Sequence, residues 1–273
     1  MIVWACIAPH GGELIPELAD GNPHRMARTR GALERLGRHC RAEQPDTILV
    51  YTPHGICVDG FISISVSRYV IGELTGDNGA NVSCRLPVDT QFAQDLSLQA
   101  SQAGIPTIEA AYLPNGEPTD AFPLDWGSLV PLWFMGAQWE KPPAVVIVCP
   151  SRSLARRQLV SFGRVTAIAA EQSGKRIALI CSADQGHGHS PAGPYGYSPT
   201  SRSYDAAYCR AVQQGDLRRL LHWRSDWIAS AMPDSFWQTL MLHGAVVYGG
   251  LRGSLLSYEA PTYFGMVCAE FTI

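Results

Sequence analysis

The sequence predicts an α/β fold: a single domain over residues 1–273, built on a central mixed, largely parallel sheet flanked by helices. Three observations carry that expectation. Short apolar runs of strand length alternate with longer stretches of helical period, the order of β-α-β units. Hydrophobic residues make up 46% of the chain and charged residues 16%, enough apolar surface for a sizeable core. Two early strands also stop abruptly at Pro-His-Gly, and strand ends are where such sheets place their chemistry.

Ile2–Ala8 reads as a first buried strand, ending on Pro9-His10-Gly11-Gly12. Pro9 removes a ladder donor, and the glycines let backbone approach a ligand closely. A helix is expected over residues 23–43, with Met26, Leu33, Leu36 and Cys40 on one stripe. Residues 46–51 form the second strand, which breaks at Thr52-Pro53-His54-Gly55. Strand, helix, strand makes a β-α-β unit, so the two strands are expected as parallel neighbours about 4.8 Å apart. His10 and His54 would then share one sheet edge, both in solvent-open loops, an arrangement that suits a shared metal. The plainer alternative is that each imidazole only caps its strand or bonds a carbonyl.

Residues 61–67 and 81–86 have the alternation of antiparallel or edge strands, around a Gly-containing turn at 75–79. A helix over 87–102 and a strand over 107–113 follow. Residues 115–126 are expected as loop, with Asp120 and Asp125 as turn or N-cap residues. Residues 127–137 read as a buried helix. Ala144–Cys149 is a further strand, then a helix to about residue 172, with Ser151 or Ser153 as its N-cap. The strand over 175–182 leads into Asp184-Gln185-Gly186-His187-Gly188-His189, two imidazoles among glycines where neither helix nor ladder continues. Short helices over 204–214 and 217–223, a longer one over 235–248, and strands over 253–258 and 264–271 complete the order.

A net charge of −3 with no long Lys/Arg run argues against nucleic acid as a partner. No apolar run reaches the roughly 18–20 residues that span a bilayer, and the apolar start has no basic region before it, so neither a membrane nor a signal peptide is expected. The eight cysteines are scattered without a C-x-x-C pair, which suggests a reducing cytoplasm.

With Pro9-His10, Thr52-Pro53-His54 and the Ser182 to His187 stretch in this order, the chain resembles the class III extradiol dioxygenases, relatives of the protocatechuate 4,5-dioxygenase catalytic subunit and of 2-aminophenol 1,6-dioxygenase. The likeness extends to Leu242-His243-Gly244-Ala245-Val246 and the closing strands, and so covers nearly the whole chain. It implies iron(II) held by His10, His54 and one carboxylate, with positions left open for an aromatic substrate and O2. It implies an unligated acid–base histidine, His187 by its spacing from Ser182, with His189 as the alternative or as a second substrate contact. The family usually supplies Glu ahead of the late helix; this chain has Asp234, for which an N-cap role is the competing reading. Glu259 and Glu270 rank below it. A homo-oligomer, or pairing with a related subunit, is the expected assembly. Two alternatives stay open: a Memo-like metal-binding or redox protein of the same fold, and a zinc hydrolase with His187 as base.

Overall fold

The computed structural model describes residues 1–19, 22, 24–112 and 121–273. In chain order its elements are β1 (Ile2–Ala8), α1 (Ala27–Ala42), β2 (Thr47–Tyr51), β3 (Ile62–Ser65), β4 (Tyr69–Thr75), β5 (Asn81–Pro87), α2 (Thr90–Gln102), β6 (Thr107–Ala110), β7 (Ala121–Pro123), α3 (Trp126–Leu132), β8 (Ala144–Cys149), α4 (Arg156–Gln172), β9 (Ile177–Ser182), α5 (Pro199–Gln213), α6 (Ser225–Ala231), α7 (Phe236–Gly249), β10 (Arg252–Glu259) and β11 (Met266–Thr272).

Eight strands form one mixed sheet in the order β10-β11-β1-β9-β2-β8-β3-β6. Its centre, β1-β9-β2-β8, is parallel, whereas β11 and β3 run antiparallel to their inner neighbours. The four central strands are apolar almost throughout because both faces are covered, and continuous rather than alternating apolar runs are what that position selects. One expectation is corrected here. β1 and β2 are not neighbours, because β9 lies between them and pairs with both. The insertion places three chemistry-bearing strand ends side by side.

A second sheet, β5-β4-β7, holds a hairpin whose first strand the sequence hid. Gly72 interrupts the run at β4 like a breaker, yet it marks a close approach: a Cβ there would lie 2.5 Å from Leu129 Cδ1. Of the expected loop at 115–126, residues 115–120 lie outside the described residues, Asp120 among them; Ala121–Pro123 is strand, and Asp125 caps α3 by accepting from Ser128 N–H at 2.9 Å. The expected helix over 127–137 stops at Leu132, and Met135 and Gly136 leave helical geometry. Ser151 and Ser153 do not cap α4. Both accept from Gly60 N–H, and α4 starts after Ala155, whose N–H donates to Gln158 Oε1.

α4 and α7 pack against each other on one face of the sheet. Gly163 and Gly244 permit the contact, since a Cβ would come within 1.8 Å of Met241 O or 1.9 Å of Val160 O. That close crossing fixes where α7 begins, and with it the residues just before it. Among the described residues no helix is long and apolar enough to cross a membrane.

Candidate metal centre

β1, β9 and β2 end at the same edge of the sheet, with Ala8 in register with Ser182 and Tyr51 with Cys181. Just beyond those ends come His10, the loop from Ala183 to His189, and His54. A fourth contribution arrives from the connection between α6 and α7. Met232 there takes the left-handed conformation (φ 54°), turning the chain so that Pro233 and Asp234 face the strand ends.

His10 Nε2 lies 3.1 Å from His54 Nε2 and 3.2 Å from Asp234 Oδ2, and His54 Nε2 lies 3.3 Å from the same oxygen. An ion bound at about 2.1 Å by ligands at right angles spaces them about 3.0 Å apart, and at tetrahedral angles about 3.4 Å. The observed triangle falls within that range. Its hydrogen bonding also matches a ligand site. Ser182 Oγ–H donates to Gly127 O, so the 2.9 Å contact between Ser182 Oγ and His10 Nδ1 has the imidazole as donor. A neutral His10 therefore presents a bare lone pair at Nε2, the tautomer a metal requires. Lone pairs from two imidazoles and a carboxylate converging on one point repel unless a cation sits among them.

In the metal-free protein a proton takes that role. Burial works against a charged His10, but Asp184 and Asp234 outweigh it and push its pKa up to about 9. Burial raises Asp184 to about 6; the charge of His10 opposes this and the neighbouring Asp234 adds to it. Asp234 is also penalised by burial, yet His10, His54 and His187 hold it well below the usual carboxylate range. Because His10 is raised, it contributes stability that is fully present below about pH 6.5 and lost as pH rises through about 9. The thermal midpoint of the metal-free protein should therefore fall as pH rises from about 7 to beyond 9, and the metal-loaded protein should not follow, since the cation replaces the proton. Parallel pH profiles for the two forms would contradict this.

Asp234 is 5% exposed and its Oδ1 accepts from Asp184 N–H at 2.9 Å, which leaves Oδ2 aimed at the two imidazoles. It does not cap α7. Ser235 occupies that position, and no side chain supplies a cap hydrogen bond. His10 is 2% exposed, so the expectation of two solvent-open loops holds only for the partly exposed His54, whose ring stacks on Trp126 at 4.1 Å.

His187 Nε2 stands 3.8 Å from Asp234 Oδ2, too far for a hydrogen bond, while Nδ1 is buried without a partner. The ring is held by Phe264, Tyr195 and Tyr263 at centroid distances of 5.7, 5.4 and 6.0 Å. The structure does not bring His189 to this group. Its Nε2 lies 2.7 Å from the buried Asp205, which also accepts from Tyr258 OH and Gly186 N–H. The two imidazoles sit two residues apart in a glycine-rich loop and point to different places. Glu259 and Glu270 are likewise remote. Glu259 accepts from Thr29 N–H and Oγ in the first turn of α1, and Glu270 contacts Trp4 Nε1 and His39 Nδ1. Asp184 was not singled out from the sequence, although it lies within the Ser182 to His187 stretch; with His187 and Asp234 it forms a second group of donors within 4.8 Å.

Two cavities meet at these residues. The larger, of about 700 Å³, is walled by Leu154, Ile228, Met232, Phe236 and Trp237 and reaches His54, His187 and Asp234. The smaller, of about 290 Å³, reaches the same three together with His10 and Asp184. A mostly apolar cavity of the larger size, ending on a few converging polar groups, is the form of a small-molecule site.

Residues 5–268 match the family described as the catalytic LigB subunit of aromatic ring-opening dioxygenase. Protein CA_C1420 of Clostridium acetobutylicum is 24% identical over 254 residues, which are 93% of this chain and 54% of that protein. The chain thus spans about half the length of this curated relative. Among solved structures, the uncharacterized protein JW3007 from Escherichia coli gives a TM-score of 0.65 at 17% identity, covering 98% of this chain and 99% of that one. The latter likeness concerns the fold.

Proposed function

Since this chain belongs to the family of the catalytic LigB subunit of aromatic ring-opening dioxygenases, we propose that it is an iron(II)-dependent extradiol dioxygenase, opening a catechol- or aminophenol-type ring with O2. The observation that carries this reading is the triangle of His10, His54 and Asp234 beside an apolar cavity that His187 also lines. Two imidazoles and one carboxylate are the donor set of non-haem iron(II) oxygenases. When bound, the ion supplies the redox chemistry and polarises the substrate's hydroxyl oxygens.

The protein's own residues do the rest. Phe236, Trp237, Met232 and Ile228 take the aromatic ring out of water and steer its heteroatoms toward the cluster. His187 Nε2 is the atom placed to receive a hydroxyl proton, because Nδ1 is buried and Nε2 faces Asp234 across an unbonded gap. Its flanking rings keep that imidazole oriented, and later return of the proton to the opened product restores the site. Both atoms of O2 end in the product, so no external reductant is needed. The free thiols at all eight cysteines fit the reducing cytoplasm as its setting.

The test is anaerobic loading with iron(II), followed by oxygen uptake on a panel of catechols and aminophenols. Uptake that requires both iron and an aromatic diol or aminophenol supports the reading. Ester or amide hydrolysis with zinc(II), and no uptake with iron, would replace it with the hydrolase.

A further inference from the structure

The donors around the cluster number more than three. Asp184, just past β9, is 3% exposed, and its position is set from two sides: it bridges to Met266 and donates its N–H to Asp234. Oδ1 accepts from His10 N–H at 3.2 Å, whereas Oδ2 lies 3.3 Å from His10 Nε2. Because the Ser182 contact fixes the neutral His10 with its hydrogen on Nδ1, Oδ2 faces a lone pair. A buried carboxylate oxygen aimed at that lone pair calls for a positive charge between them, the proton in the metal-free protein and the ion in the loaded one. Among the described residues, the ion-pair partners of Asp184 and Asp234 are histidines, with no Lys or Arg.

Charge points the same way. A divalent ion held by two neutral imidazoles and one carboxylate keeps a net positive charge in a buried setting, and a second carboxylate cancels it. We infer that Asp184 is a second carboxylate ligand, which would join His10, His54 and Asp234 in holding the ion. The inference rests on the metal-site part of the proposed function, not on ring opening.

The experiment is titration of the metal-free protein with cobalt(II), anaerobically, following the visible spectrum in wild type, Asp184→Asn and Asp184→Glu. Asn keeps an oxygen to accept His10 N–H, so a role limited to positioning His10 survives that change. Substitutions beyond the ligands cost about 10- to 100-fold in metal affinity. Loss of a ligand should therefore lower cobalt affinity by about 100-fold or more in Asp184→Asn and alter the intensity and position of the cobalt bands. Asp184→Glu, which restores the carboxylate, should regain binding with shifted bands. A folded Asp184→Asn protein that binds no detectable cobalt counts with the expected result; wild-type bands in it overturn the inference whatever the affinity. If Asp184→Asn does not fold, Asp184→Glu decides alone: shifted bands support a ligand, and wild-type bands refute it. Since the readout is cobalt binding, a protein that opens no ring can still pass, and one that opens rings can still fail.

Discussion

His54→Ala and Asp234→Asn are expected to lose stoichiometric metal while keeping the fold, with affinity falling by about 100-fold or more. His54 is the more tolerant position because its ring is partly exposed, and His10 remains as the principal counter-charge of the buried Asp234 once His54 is gone. Asp234→Asn separates ligand from helix cap. Asn caps about as well as Asp, and the side chain makes no cap hydrogen bond to α7, so metal should be lost without loss of the helix. His10→Ala should also strip the metal, but at a structural cost. It leaves Asp184 and Asp234 buried beside each other without their principal counter-charge, a loss on the order of 3–5 kcal/mol. Metal content after dialysis, with near-ultraviolet circular dichroism as the folding control, checks all three. Wild-type metal content in folded His54→Ala or Asp234→Asn would break the shared site.

His187→Ala is expected to retain the metal and lose turnover by about 10²- to 10⁴-fold, the usual contribution of a positioned acid–base group. The 3.8 Å between Nε2 and Asp234 Oδ2 carries no hydrogen bond, and metal content is what separates this role from ligation. Metal loss in His187→Ala would instead place His187 with Asp184 and Asp234 as a ligand group. His189→Ala should behave differently from either. Its bond to Asp205 secures the loop to β10 through Tyr258, so its loss is expected to cost about 1–3 kcal/mol of stability.

How far the sequence could be read depended on whether a feature was local. The buried strands were legible because a strand covered on both faces must be apolar at every position, and Ile2–Ala8 and Ala144–Cys149 are. His10 and His54 were legible because Pro and Gly end those strands visibly. Strand adjacency was not, since the insertion of β9 between β1 and β2 depends on pairing over more than a hundred residues. Asp184 was passed over for the same reason. In sequence it is one loop residue near two histidines, and only its burial and its contacts with His10 and Asp234 mark it. Asp234 reads from sequence as ligand or cap alike, because Asp before an apolar helix usually is a cap. The left-handed turn at Met232, invisible in a non-glycine residue, moved it off the helix end and onto the cluster.

The proposed activity is opening of an aromatic ring with both atoms of O2 retained in the product. Turnover of a catechol by the iron(II)-loaded protein under heavy-isotope dioxygen, with mass spectrometry of the product, tests it most directly. The expected product is ring-opened, carries two labelled oxygens and is cleaved beside rather than between the two heteroatom substituents, and none forms with His187→Ala on the same timescale. A product with its ring intact, or a ring-opened product without label, would contradict it.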